Sequence, residues 1–136
     1  MKLSNEMDNE NNKLLKLITE TAKRGTNETF AFYRRKDGRI DEYFYEDFLH
    51  IMRRFQNRLT RYSNESDDFI VSALTRRFVY ERALILLPQA SDSGLYFLLR
   101  CFFSGTKVII PERCTKRAVV DAITKFRPDV LITDSV

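Results

Sequence analysis

The chain has 136 residues, 43% of them hydrophobic and 31% charged, which is the composition of a globular protein. Its 23 Lys and Arg outnumber its 19 Asp and Glu only slightly, for a net charge of +4, too little to indicate a dedicated nucleic-acid binder. Without a run of about 18 apolar residues, no transmembrane helix is predicted. We expect a cytoplasmic protein, because the polar start Met1–Asp8 does not fit a signal peptide.

The N-terminal region predicts a polar tail followed by a helix. Residues 1–11 are rich in Asn, Glu and Asp, and we expect them to be disordered, ahead of a single α/β domain over residues 12–136. From Lys13 onward, apolar residues recur near helical spacing. This first helix is expected to end near Gly25.

A β-hairpin is predicted next. Thr29–Arg34 alternates large apolar residues with smaller or polar ones, as a strand does. Lys36–Gly38 predicts a turn, because Gly readily adopts the positive φ that tight turns need. Ile40–Phe44 then returns as the antiparallel partner.

The clearest amphipathic helix is predicted over Tyr45–Tyr62. Its apolar stripe consists of Phe48, Leu49, Met52, Phe55, Leu59 and Tyr62. Its polar face carries His50, Arg53, Arg54, Asn57, Arg58 and Arg61. Ser63–Asp68 predicts a solvated loop, whereas Phe69–Tyr80 fits a strand and a helix equally well and stays undecided.

The C-terminal half alternates strands and helices, which predicts a parallel βαβαβ layer. The segments are Ala83–Leu87, Lys107–Ile110 and Asp129–Thr133 as strands, with Ser91–Phe103 and Thr115–Phe126 as the helices between them. Ligands in such folds bind beyond the carboxyl ends of the strands. The sequence therefore predicts a scaffold on which a site could be built.

The residues that carry catalytic or metal chemistry are sparse, and no catalytic, cofactor-binding or metal-binding residue is predicted. His50 is the only histidine, and nucleophilic catalysis needs a base beside a nucleophile. Cys101 and Cys114 lack the spacing of a zinc site and are expected to be reduced thiols, Cys101 in the core. Asp134, just after the last strand, is a weak candidate on its own. The four glycines, too far apart for a phosphate-binding loop, are Gly25, Gly38, Gly94 and Gly105.

Two charged clusters invite simpler interpretations. The acidic cluster is expected to complement the dipole of a helix start and consists of Asp41, Glu42, Glu46 and Asp47. The arginines Arg53, Arg54, Arg58, Arg61, Arg76 and Arg77 could form a basic face for single-stranded nucleic acid. A solvated helix face, or one that docks against an acidic partner surface, is favoured over nucleic-acid binding because the net charge is small.

Four stretches resemble the adenylate-forming enzymes, the family of acyl-CoA synthetases and fatty-acyl-AMP ligases. Asp41–Phe48 resembles the segment that leads from a hairpin into a helix, and Arg82–Gln89 looks like the first core strand. Leu98–Pro111 is similar to the helix, glycine turn, strand and closing proline, and Arg127–Ser135 to the following strand. The resemblance runs from about Lys13 to Val136, and Leu-Leu-Pro-Gln at 86–89 is similar to the fatty-acyl-AMP ligase branch.

What the resemblance implies is a fold and a common ancestry. A full-length enzyme of this kind activates a carboxylate with ATP and magnesium and passes the acyl group to a thiol carrier. The family's phosphate loop, adenine-binding motif, ribose-binding Asp and catalytic Lys have no counterpart in these residues. Phe69–Tyr80 also replaces a short Gly-Asp phrase. The expected function is therefore a fragment or degenerate relative of an acyl-adenylating ligase that is inactive alone and holds no cofactor.

The alternative is a non-catalytic interaction module that kept the scaffold. A reading frame that continues past Val136 into a Ser/Thr/Gly-rich loop would favour the ligase. We expect a homo-oligomer or a protein partner in either case, because Ala83–Leu87 and Val108–Ile110 do not alternate and so present apolar residues on both faces. An acyl substrate or carrier protein is expected only within a longer enzyme.

Overall fold

The fold is known from a computed structural model, which describes residues 13–25, 28–49, 51, 58, 67–76, 78–88 and 91–133. These residues form an α/β structure with one mixed five-stranded sheet. In chain order the elements are α1 (Lys13–Arg24), β1 (Thr29–Arg34), β2 (Ile40–Phe44), a 3-10 helix (Tyr45–Phe48), α2 (Asp67–Leu74), β3 (Arg82–Ile85), α3 (Asp92–Ser104), β4 (Lys107–Ile110), α4 (Lys116–Phe126) and β5 (Val130–Ile132). The predicted tail, residues 1–11, lies outside the described residues.

The predicted hairpin is confirmed. β1 and β2 pair antiparallel, with Arg34 opposite Ile40. Gly38 adopts a φ of 89° in the turn, a value that costs little without a Cβ. The backbone N–H of Arg35 donates to the carbonyl of Arg39 at 2.8 Å and closes the turn.

The predicted parallel layer is also confirmed, and the hairpin belongs to the same sheet. The strand order is β2-β1-β4-β3-β5. β4 lies parallel to both β1 and β3, and β3 lies parallel to β5. Asp129 connects the amino ends of β5 and β3. Its carboxylate accepts hydrogen bonds from the backbone N–H groups of Glu81 at 3.0 Å and Arg82 at 2.7 Å. Both hydrogen bonds lower the pKa of the Asp129 carboxyl group, and the bond from Glu81 has the larger effect.

Each face of the sheet has its own core. On the first face, Ala31, Val108 and Ala83 lie in register and are buried under α1 and α3. On the second face, the register runs Phe32, Ile109, Leu84 and Leu131. Helix α4 covers the middle of this second face through Ala122, Val119 and Phe126.

The helices of the parallel layer begin and end where their capping residues predict. Ser91 Oγ accepts the backbone N–H of Gly94 at 3.0 Å, and Thr115 Oγ1 accepts that of Ala118 at 3.3 Å. Both are N-cap bonds that satisfy an otherwise free donor. Gly105 ends α3 with a φ of 78°, the left-handed cap that the sequence predicts.

Two predicted segments need correction. α2 begins at Asp67, so the loop predicted over Ser63–Asp68 is wrong at its last two residues, a position where acidic residues are favourable in a sequence; residues 63–66 lie outside the described residues. The undecided segment Phe69–Tyr80 is helical as far as Leu74, with Ile70 and Leu74 buried one turn apart. Thr75 and Arg76, and then residues 78–80, belong to no helix or strand.

The helix predicted over Tyr45–Tyr62 is only partly described. It begins as a 3-10 turn, Tyr45–Phe48, in which Phe48 is buried as predicted. Leu49 packs against the same core. The other stripe residues, Met52, Phe55, Leu59 and Tyr62, lie outside the described residues.

Candidate functional site

The carboxyl edge of the sheet is where the topology places a site. The four parallel strands β1, β4, β3 and β5 end there. α3 contributes Leu98, Leu99 and Phe102 to the core of the first face, whereas α4 contributes Ala122 to that of the second. The chain therefore leaves the neighbouring strands β3 and β4 in opposite directions, and the position between their ends, called the crevice below, is where ligands bind in open α/β sheets.

Short polar contacts connect the loops after β3 and β4 beside this crevice. The thiol of Cys114, in the loop after β4, donates to the carbonyl of Leu86 after β3, with 3.3 Å between sulfur and oxygen. Ser91 Oγ donates to the carbonyl of Pro88 at 2.6 Å while it caps α3. Gly94 packs so closely here that a Cβ would lie 2.1 Å from the Pro88 oxygen. The N-terminus of α3 is thus closed by its own chain.

The described side chains do not assemble a nucleophile or a metal centre. Cys101 is buried as predicted, and burial raises its pKa to about 12, so it stays a neutral thiol near pH 7. Cys114 is exposed. Across the described ranges, no three His, Cys, Asp or Glu residues lie close enough together to hold a metal ion. His50 and Asp134 lie outside those ranges.

A basic cleft lies beside the crevice, between the hairpin turn and the start of α4. It encloses about 430 Å³. We call it the hairpin cleft. Its charged lining consists of Arg34, Arg35, Lys36, Arg113 and Arg117, with Glu112 and Asp121.

Ion pairs in and around the hairpin cleft occupy some of its cations. Nε of Arg34 lies 2.8 Å from Asp121, Nε of Arg35 lies 2.8 Å from Asp41, and Nε of Arg113 lies 3.2 Å from Glu112. Within the part of the chain that the structure describes, Lys36 and Arg117 lie in no ion pair.

A larger cleft, about 690 Å³, lies at the opposite, amino edge of the sheet. Phe78, Val79 and Tyr80 form one side of it. Polar side chains near this cleft bond to backbone carbonyl groups. Thr106 donates to the carbonyl of Tyr80 at 2.7 Å, and the Arg82 guanidinium donates to that of Phe126 at 2.9 Å. We assign this cleft a structural role, because sites in parallel sheets lie at the other edge.

The acidic cluster lies at a helix start, as predicted, at two of its four positions, because Glu46 and Asp47 belong to the first turn of the 3-10 helix. Asp41 and Glu42 lie on β2, where Asp41 pairs with Arg35 and Glu42 accepts a hydrogen bond from Thr29. At this helix start, Asp47 also accepts the backbone N–H of Phe44 at 2.8 Å. The hairpin brings the other two carboxylates to the sheet instead.

The predicted arginine face is described at only two positions. Nε of Arg58 lies 3.3 Å from Asp92 at the start of α3. Arg76 is exposed, and its carbonyl accepts a hydrogen bond from Arg100 at 3.4 Å. Arg53, Arg54, Arg61 and Arg77 lie outside the described residues, so the choice between a solvated face and nucleic-acid binding stays a prediction.

Sequence reasoning missed the hairpin cleft because its walls are about 80 residues apart in the chain: Lys36 follows β1, and Arg117 lies in the first turn of α4. A usable signal exists in the sequence: Arg35 and Lys36 follow the first strand of the predicted hairpin, Arg113 lies three residues after the predicted strand Lys107–Ile110, and two cations open the next predicted helix. No helix among the described residues combines the length and apolar character of a membrane span. No protein-family profile, curated protein or solved structure matches this chain.

Proposed function

We propose that these 136 residues are an N-terminal scaffold related to the fatty-acyl-AMP ligases, inactive alone. The observation that carries this proposal is the parallel pairing of β1 with β4. It joins the hairpin to the βαβαβ unit, so that the ligase-like stretches fall on neighbouring parts of one sheet. Asp41–Phe48 spans the end of β2 and the 3-10 turn, Leu98–Pro111 spans the end of α3 and β4, and the other two begin at β3 and just before β5.

The geometry of the carboxyl edge supports inactivity. Adenylation depends on donors that align and stabilise the phosphates of ATP. The α3 terminus that could supply such donors is closed by Ser91 and by the close contact of Gly94 with Pro88. We therefore expect these residues to release no pyrophosphate from ATP, magnesium and fatty acids above a buffer blank. Release by the 136-residue chain itself would contradict the proposal.

The decisive test of the ligase relationship is the coding sequence beyond the codon for Val136. If coding continues into a Ser/Thr/Gly-rich phosphate loop, the longer protein should form acyl adenylate from ATP and a fatty acid. The 136-residue chain serves as the matched control in the same pyrophosphate assay. A longer reading frame without that loop would favour the second candidate function.

The second candidate is a non-catalytic module that associates with its own copy, as the exposed part of the second face favours. Leu131 on β5 is 47% exposed, and Ile123 on α4 is 43% exposed. Asp121 pairs with Arg34 of β1, so Ile123, about 200° further around the helix, lies on the flank toward β5. Val120, also exposed, lies beside Ile123. Together these three residues form an apolar strip.

A second copy is the occupant that fits this strip. Among the described residues, no strand pairs with the outer edge of β5. Its residues, Val130–Ile132, carry no charge to guard that edge. Two such edges pair antiparallel across a twofold axis, which brings the two apolar strips together.

We expect light scattering to give the mass of a dimer for the unmodified chain. The double variant I123E/L131E should raise the dimer dissociation constant at least about tenfold, because two buried apolar side chains become charged. V79D is the control, since Val79 is 66% exposed and lies at the amino edge, away from the strip. A monomer at high concentration in the unmodified chain would rule out this interface.

A further inference from the structure

We propose that the hairpin cleft binds the phosphate or diphosphate group of a small molecule. The cleft residues all lie outside the four stretches that resemble the ligases. Phosphate binding here is therefore independent of the ligase-like role. It would be a property of this chain's own residues 34–38 and 112–121.

The placement of cations points to an anionic ligand. Lys36 belongs to the wall formed by the hairpin turn, and Arg117 to the wall formed by α4. Neither forms an ion pair in the described part of the chain, so both charges are available to a ligand in the cleft. A diphosphate between these walls would accept hydrogen bonds from an ammonium and from a planar guanidinium, which matches phosphate oxygens well.

Local electrostatics at α4 indicate the same ligand. The first turn of α4 contains Lys116 and Arg117 and no acidic residue. Cations at the positive end of a helix dipole are unfavourable, and local conflicts of this kind are expected at functional sites. An anion at the start of α4 would relieve the repulsion and would also meet the free N–H groups of the first turn.

Arg34 is the least exposed cation of the cleft lining. Its Nε bonds to Asp121, but its Nη1 is buried and has no acceptor among the described residues. Buried donors are ordinarily paired. Arg34 therefore supports the wall of the cleft, and the ligand contacts are assigned to Lys36 and Arg117.

The shape and the acidic residues favour a small ligand over nucleic acid. A cleft of about 430 Å³ lies within the range of small-molecule pockets. Asp37, Asp41, Glu112 and Asp121 pair with the arginines around it. An extended phosphate backbone would pass more of these carboxylates than one diphosphate held between Lys36 and Arg117.

The test is calorimetric titration of the full chain with inorganic pyrophosphate at low salt. We expect saturable binding that the double variant K36Q/R117Q weakens at least about tenfold, as loss of two charge-assisted hydrogen bonds implies. K125Q is the control. Lys125 lies in the last turn of α4, so this substitution removes one cation that lies outside the cleft. Circular dichroism of each variant verifies that these surface changes leave the fold intact.

Several results would overturn the proposal. These are the absence of saturable pyrophosphate binding by the unmodified chain, an equal loss in K125Q, and an unchanged affinity in K36Q/R117Q. Tighter binding of a single-stranded oligonucleotide than of pyrophosphate would assign the cleft to nucleic acid instead. A thermal shift on addition of pyrophosphate that K36Q/R117Q abolishes and K125Q retains would support it independently.

Discussion

Replacing Phe30 with Ala is expected to lower the free energy of unfolding by about 3 to 5 kcal/mol, as deletion of a buried aromatic ring does. Phe30 is fully buried. Its ring centroid lies 4.7 Å from that of Phe48, 5.3 Å from that of Tyr45 and 5.5 Å from that of Phe102. The substitution therefore leaves a cavity where β1, the 3-10 turn and α3 meet.

The control for this prediction is F69A, the same change on α2, where the side chain is 57% exposed. We expect F69A to cost less than about 1 kcal/mol, because more than half of the residue stays exposed to water on folding. Urea denaturation followed by circular dichroism measures both variants. Equal losses at Phe30 and Phe69 would mean that the hairpin does not pack on α3 as described.

Replacing Gly94 with Ala is expected to destabilise the protein by about 2 kcal/mol, although Ala is the better helix former. The gain in helix propensity is about 1 kcal/mol, whereas forcing an atom into a packed site costs about 3 kcal/mol at the upper end. The upper end applies here, because the new Cβ would lie 2.1 Å from the carbonyl oxygen and 2.9 Å from the carbonyl carbon of Pro88. These are backbone atoms, so the loop after β3 would have to move.

S93A is the matched control for Gly94, because Ser93 is the preceding residue of α3 and is exposed. It should change stability by no more than about 0.5 kcal/mol. Thermal unfolding of both variants checks the contrast. A G94A protein as stable as the unmodified chain would show that the turn between Pro88 and Gly94 is looser than described.

Local sequence was enough to predict most secondary structure, because the signals are local. Alternation and the turn at Gly38 predicted the hairpin with both strands in their observed bounds. Ser91, Thr115 and Gly105 marked helix ends through hydrogen bonds and a backbone conformation that involve only nearby residues. The start of α2 at Asp67 was missed because a run of Ser, Asn and Asp also suits a loop.

Pairings distant in the chain depended on the tertiary structure. Strand alternation alone would place Phe30 and Phe32 on the same face of the sheet. A register shift between Thr29 and Ala31 instead puts Phe30 in the first core and Phe32 in the second, as a bulge re-aims side chains. No pattern within β1 specifies that shift, because the shift depends on how β1 packs against α3 and the 3-10 turn.

In the candidate site, some features follow from the sequence alone and others only from the tertiary structure. Composition and spacing alone determined that the chain is an α/β protein with a parallel layer, because burial on two faces demands continuous apolar strands. Only the folded chain decided that Lys36 and Arg117 line one cleft and that Asp41 pairs with Arg35. The reason is that strand order brings together residues far apart in sequence, and strand order is set by the packing of whole helices on the sheet.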